Sequence, residues 1–488
     1  MYDVNSEIKV QSTKKNFVFQ FLYQVIILII PLVTAPYLTR TLGDTALGIY
    51  SYTYSIAYYF VIFAQLGISR HGQRIIAARR DDTESLRKTF WSLYTVHVAF
   101  SFLSLVAYIS FVAVFGNNYR VIYLLQTIYV TSAVFDITWL FYGLENFQSV
   151  VIKNFIVKIS ECILIFCFVN SREDLWLYTL IMTCSTCLGQ AIMLPQAIRY
   201  IKPVKFDWCD IKEHLKPLFV LFTVVVAATL YTVFDKTLLG IMSTKENVAY
   251  YEYSNKIICI PKNVIGVICT VMFPRACACI ARNDTKNAQK YMDYSLHFTC
   301  FLGLGAIWGL MGISQLLTVL YFGESFSICG DVIIALSPNI FIIELGNIIR
   351  TLYMVPNHMD RELLLCYTIN AVINLILTII LIPSLGIYGA IIGTVSAEIS
   401  GIIFQLILGR TFMPLKRVVA TILPYAGAGA VMLGSIQLIK QQFNSTWPDL
   451  LLQIGVGGVV YCILCAVYLV FFSSIKANLR NMFHAMRQ

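Results

Sequence analysis

Leu363-Leu-Leu-Cys-Tyr-Thr-Ile-Asn-Ala-Val-Ile-Asn-Leu-Ile-Leu-Thr-Ile-Ile-Leu-Ile382 carries no charge from end to end. A helix of about 20 such residues matches the ~30 Å hydrocarbon layer of a bilayer. Runs of the same kind recur on both sides, near 16–38, 48–67, 89–115, 120–143, 149–169, 175–198, 216–242, 250–274, 292–320, 330–355, 386–408, 418–439 and 449–473. The expected fold is an all-α polytopic membrane protein with about fourteen transmembrane helices. Composition agrees: 58% of the 488 residues are hydrophobic and 13% charged, against about 25% charged in soluble domains. The polar segment Met1–Gln11 and the long apolar run after it read as an uncleaved first span.

Charge fixes an orientation. With an inner N-terminus, the alternating loops hold 26 Lys and Arg inside and 5 outside (Arg40, Arg120, Arg172, Lys245 and Lys440). That bias follows the positive-inside rule and places both termini in the cytoplasm. It also explains the net charge of +10 without nucleic acid, which is not an expected partner. Most of the fourteen cysteines lie inside apolar runs, where a thiol acts as a small hydrophobe. Cys184-Ser-Thr-Cys187 lacks the second pair that a zinc site needs. No metal and no cofactor are expected.

Five cations remain within spans: Lys158, Lys236, Lys256, Lys262 and Arg350. A charge at mid-bilayer costs roughly 2.5–3.5 kcal/mol on insertion scales, so these face a bundle interior, a wet cavity or a helix end. Asp136, Glu161, Asp235, Glu252, Glu344 and Glu398 are acidic companions. Lys158 and Glu161, three apart, and Glu252 and Lys256, four apart, are spaced for local ion pairs. Lys262 and Arg350 have no nearby acid in the sequence. The spans thus carry a cationic pathway suited to an anionic passenger. Tyr50, Tyr52, Tyr54, Tyr58 and Tyr59 crowd the second span. They form either an interfacial belt or a stacking surface for sugar rings, and Tyr58 and Tyr59 lie deep for a belt.

Arg40-Thr-Leu-Gly43 with Gly48-Ile-Tyr50 is echoed by Lys236-Thr-Leu-Leu-Gly240 with Ala249-Tyr-Tyr251. The echo suggests two six-span halves with a site between them: an N-lobe over 1–200, a C-lobe over 201–410, and helices 13 and 14 with a tail over 411–488. Gly389 and Gly393, four apart, mark a close-packing helix face. The sequence contains no His-Glu-x-x-His, Walker loop, Gly-x-Ser-x-Gly or Asp-Asp-x-x-Asp motif, so a transporter is expected rather than an enzyme.

Several segments, in order, carry a resemblance. They are Pro36-Tyr-Leu-Thr-Arg-Thr-Leu-Gly43, Leu66-Gly67-Ile68, Arg74-Ile-Ile-Ala-Ala-Arg79, Asp136-Ile-Thr-Trp-Leu-Phe-Tyr-Gly-Leu-Glu145, Asp235-Lys-Thr-Leu-Leu-Gly240, Phe273-Pro-Arg275, and Gly386-Ile-Tyr-Gly-Ala390 with Glu398. The chain resembles the polysaccharide flippases of the multidrug/oligosaccharidyl-lipid/polysaccharide exporter superfamily. The resemblance implies a central cavity between two six-helix lobes, open alternately to each side. Its passenger is an undecaprenyl-diphosphate-linked oligosaccharide repeat unit, moved from the inner to the outer leaflet of the bacterial cytoplasmic membrane for capsular or cell-surface polysaccharide. By position, Arg40, Lys153, Lys158, Lys236, Lys256, Lys262 and Arg350 are candidates for phosphate contact. Asp136, Trp139 and Glu145, with Tyr58 and Tyr59, are candidates to shape or gate the cavity. A sodium ion would draw on Asp235, Asn374 and Thr394, and a proton on Glu161, Glu344 or Glu398. The expected partners are the lipid-linked oligosaccharide, membrane lipids and other polysaccharide-assembly membrane proteins, around a monomer. Two other readings compete. A cation-coupled drug antiporter of the same fold prefers an acidic cavity, and a membrane-embedded polymerase needs a large outer loop.

Overall fold

The computed structural model describes residues 29–410, 412–440 and 446–471, and among them there is no strand. The chain divides into two compact units, the first ending at Ala249 and the second beginning at Tyr250. The first holds α1 (29–41), α2 (Gly43–Gln65), α3 (Ile68–Arg79), α4 (Thr83–Phe115), α5 (Arg120–Ser132), α6 (Thr138–Gly143), α7 (Phe147–Phe168), α8 (Leu175–Ala191), α9 (Met193–Tyr200) and α10 (Trp208–Met242). Helix α11 (Lys245–Ala281) begins in the first unit and runs through the second. The second continues with α12 (Thr285–Thr299), α13 (Gly305–Phe322), α14 (Cys329–Leu336), α15 (Pro338–Ile349), α16 (Asp360–Leu385), α17 (Ile387–Leu408), α18 (Leu415–Lys440) and α19 (Trp447–Phe471).

Ten of the described helical stretches are long and apolar enough to cross a membrane. The chain is an all-α polytopic membrane protein. Four of the fourteen expected spans are not among those ten, and composition explains two of them. The span over 48–67 lies on α2, whose apolar character is diluted by tyrosines, and that over 149–169 on α7, which holds Lys153, Lys158 and Glu161. The span over 16–38 is described only from residue 29, and several side chains of the 216–242 span lie outside the described set. Both chain termini do too.

Local chemistry sets the breaks. Asp82 caps α4 by accepting hydrogen bonds from the Glu84 and Ser85 amides, at 3.0 and 3.3 Å. Between α2 and α3 the backbone turns left-handed at Leu66 and Gly67 (φ 41° and 71°). A Cβ on Gly67 would lie 2.9 Å from the Phe222 nitrogen, so α10 can approach only because this turn is glycine. In the second unit, Gly389 and Gly393 present bare backbone to α16, and the two helices pack along their length. Large apolar side chains such as Phe102, Phe115, Leu438 and Phe471 remain exposed, as a lipid-facing surface requires.

Candidate polar sites within the two units

Tyr50, Tyr54 and Tyr58 recur every four residues on α2, so their rings fall on one face. Tyr50 and Tyr54 stack at 5.9 Å, and Tyr54 and Tyr58 at 6.1 Å. From α5, Tyr129 stacks on Tyr54 at 5.0 Å and shares a hydroxyl hydrogen bond with it at 3.1 Å. Tyr178 of α8 meets Tyr50 edge-on at 4.7 Å. The ladder is continuous with charge. Glu161 acts electrostatically on Tyr50, and Asp136 on Tyr129. Lys158 donates to Glu161 at 2.6 Å while keeping 37% of its side chain exposed. Lys153 donates to Gln190 at 3.2 Å and lies within electrostatic reach of Asp136 and Lys158. Asp136 accepts from Gln65 at 3.0 Å and from the Thr138 hydroxyl at 2.6 Å. The first unit therefore contains an aromatic and charged strip from Tyr50 to Asp136, with both lysines half-buried.

The other candidates of this unit lie around that strip. Trp139 is buried, stacks on Phe90 at 5.5 Å and covers Gly72. Glu145, in a left-handed backbone conformation, pairs with Arg80 at 2.6 Å. Tyr59 and Ser55 share hydrogen bonds with Thr237 at 3.1 and 3.0 Å. Asp235 is buried on α10, Lys236 is half-buried beside it, and Arg40 is exposed on α1. At the edge of the unit outside the spans, His71 and His214 face each other, with Nε2 and Nδ1 3.2 Å apart, beside an Arg79–Glu213 bridge of 2.7 Å. Burial, then His214 and Arg74, pushes the His71 imidazole down to about 4, and burial also lowers His214.

The second unit treats its cations differently. Arg350 opens a π-helical turn (Arg350–Met354), in which the Val355 amide donates back to the Arg350 carbonyl at 2.9 Å. Its guanidinium donates to the Ile343 carbonyl at 3.3 Å and to the Gln405 amide oxygen at 3.1 Å, and it lies 5.7 Å over the Tyr367 ring. Glu344 is buried, accepts from Asn347 at 3.1 Å, and feels the charges of Lys262 and Arg350. Lys256 sits 4.0 Å over the Tyr253 ring. Asn374 donates to the Thr394 hydroxyl at 3.5 Å, and Tyr251 shares a hydrogen bond with it at 3.3 Å. Glu398 is buried on α17.

Two groupings emerge within units: Lys153, Lys158, Glu161, Asp136 and Tyr58 in the first, and Lys262, Glu344 and Arg350 in the second. The residues that complete them, Gln65, Tyr129 and Gln190 on one side and Asn347 and Gln405 on the other, carry no charge. Their one signal in the sequence is an amide or hydroxyl interrupting an apolar run.

A family model described as polysaccharide biosynthesis protein matches residues 13–277. A protein of Escherichia coli (strain K12), provisionally named an O-antigen transporter, is 22% identical over 72% of this chain and 85% of its own length. A counterpart of Shigella dysenteriae with the same name is 23% identical over 80% of this chain and 99% of its own. Among solved structures, the lipid II flippase MurJ in an inward closed conformation superposes with a TM-score of 0.73 at 18% identity, covering 94% of this chain and 99% of its own. An inward-facing multidrug transporter of the MATE family gives 0.57 at 15% identity, covering 81% and 98%. These two likenesses concern the fold.

Proposed function

The chain belongs to the polysaccharide biosynthesis protein family, and we propose that it flips undecaprenyl-diphosphate-linked oligosaccharide repeat units across the bacterial cytoplasmic membrane. The relatives named as O-antigen transporters and the shared fold with a lipid II flippase support a lipid-linked glycan as the passenger. The observation that carries the reading is the strip of the first unit, where the Tyr50–Tyr54–Tyr58 ladder is joined to Lys158 through Glu161, which acts on Tyr50, and to Lys153 through Asp136, which acts on Tyr129. Ammonium groups supply charged donors to a diphosphate, and tyrosine faces offer flat apolar surface with a polar tip to a sugar ring. Lysines in such a strip disfavour a cationic drug through like-charge repulsion. Release follows when the strip opens to the other leaflet, with both termini on the cytoplasmic side and a sodium ion or proton as driving ion.

Deletion of the gene is expected to leave lipid-linked repeat units on the inner leaflet, measured by leaflet-selective labelling of extracted membranes. Re-expression of the wild type clears them, whereas Lys153→Gln with Lys158→Gln leaves most in place at normal protein level. No accumulation in the deletion strain would sink the flippase reading. Full clearance by the double variant would remove the two lysines from it.

A further inference from the structure

The two ammonium groups of α7 are held in chemically different ways. Lys158 pairs with the Glu161 carboxylate at 2.6 Å. Lys153, half-buried five residues earlier, donates instead to the Gln190 side-chain oxygen at 3.2 Å. Among the described residues, no carboxylate lies within ion-pair distance of it. Asp136 acts on it from farther away, with its oxygens engaged by Gln65 and Thr138. Charged groups in spans usually pair with one another or with backbone carbonyls, and glutamate has nearly the shape of glutamine, so an ion pair would fit at position 190.

The contact is built into the packing. A Cβ on Gly189 would lie 2.7 Å from a Val157 methyl, so the glycine lets α8 close on α7 beside Gln190. One turn before Lys153 on the same face, the Ser149 hydroxyl accepts from the Gln196 amide at 3.2 Å. The seam from α7 to α8 and α9 is therefore fastened twice, each time by a carboxamide.

We propose that Gln190 is a positioning residue that sets the charge preference of the strip: it aims Lys153 through a neutral acceptor, so that the ammonium stays available to an anionic group of the passenger. An amide oxygen orients an ammonium without cancelling its charge, and it engages one of three N–H donors. Lys158, already matched by Glu161, must give up that partner to meet a phosphate, whereas Lys153 has donors to spare. A carboxylate at position 190 would occupy Lys153 and repel the same anion. The inference rests on the reading of a diphosphate-linked passenger. It adds the residue by which the first unit tells an anionic lipid from a neutral one.

Farnesyl diphosphate and farnesol share a prenyl chain and differ in the diphosphate, and together they test this on the full chain in detergent. Binding is read from the rise in unfolding temperature over a concentration series of each probe. The wild type is expected to bind the diphosphate more tightly than the alcohol. Gln190→Glu is expected to unfold at or above the wild-type temperature and to bind farnesyl diphosphate about tenfold more weakly. Its binding of farnesol stays as in the wild type. Gln190→Met releases Lys153 but keeps its charge, and is expected to lose about threefold for the diphosphate and nothing for farnesol. An unchanged diphosphate preference in Gln190→Glu overturns the proposal. Equal loss of both probes in either variant also overturns it, since that marks a residue that serves packing alone. Where Gln190→Glu does not fold, the Gln190→Met comparison decides. A wild type that does not prefer the diphosphate overturns the diphosphate reading itself, and this inference with it.

Discussion

Lys158 in the first unit and Arg350 in the second are both cations inside apolar helices, yet they are held in opposite ways. Lys158 pairs with Glu161 on its own helix and keeps more than a third of its side chain exposed. Arg350 is tied to the Ile343 carbonyl and the Gln405 amide, lies over Tyr367, and shares Glu344 with Lys262. A single, half-open contact can be traded for a phosphate oxygen. A guanidinium bonded to backbone and amide at a π-turn cannot leave without orphaning several buried groups. An intramembrane cation is therefore a candidate ligand contact only when its present partners are exchangeable, and by that criterion the first unit is the better place for an anion.

The sharpest way to break this contrast is Arg350→Ala. Removing the guanidinium takes a donor from the Ile343 carbonyl and the Gln405 amide and leaves Glu344 with Asn347 and the Lys262 charge. The expected loss is about 3 kcal/mol, in the range for breaking a buried charged network, with most of the protein aggregated or degraded. Arg350→Lys recovers little, since a point charge does not reproduce the planar fork. The measurement is thermal unfolding in detergent alongside yield. Normal stability with lost transport would make Arg350 a passenger contact and reverse the contrast.

A smaller effect on stability, and a larger one on transport, is expected from Lys158→Met. Glu161 is buried, and its second carboxylate oxygen already lacks a partner, so loss of the lysine strands it. Partial exposure of the pair limits the stability loss to about 1 kcal/mol. Export falls about tenfold or more. The double variant Lys158→Met with Glu161→Gln restores stability and leaves export low. Recovery of export in the double variant would mean that the lysine served only its neighbour.

The sequence already contained one half of this contrast. Lys158 and Glu161 are three residues apart, and helical periodicity alone brings them together. The partners of Arg350 are a carbonyl seven residues back, an amide on α17 and a ring on α16, and a turn with one extra residue aims the side chain at them. No charge pattern encodes that. The spans were legible because about 20 apolar residues can do little else. The tyrosine ladder was legible as a face, from its four-residue spacing, but not as a stack with Tyr129, which comes from another helix.

The mildest test concerns acid. In the first unit His71 faces His214 outside the spans, whereas in the second His297 faces the Tyr425 hydroxyl at 3.1 Å. Two imidazoles 3.2 Å apart, with Arg74 and Arg79 nearby, cannot both carry charge at low cost. The folded state holds His71 at about 4, below the ordinary 6.5 of an unfolded chain. Its contribution is present above pH 6.5 and is lost as pH falls through about 4. After allowance for solvent screening this amounts to about 1–2 kcal/mol. Hydrogen exchange from pH 7 to pH 4 is expected to show α3 and the first turns of α10 opening as the pH falls. His71→Gln with His214→Gln removes the acid sensitivity of that pair, because a glutamine neither titrates nor repels. If the glutamine variant opens as the wild type does, the histidine contact is not what holds α3 to α10. The junction would then rest on the Arg79–Glu213 bridge and on the packing of Leu218 and Phe222 over Gly67.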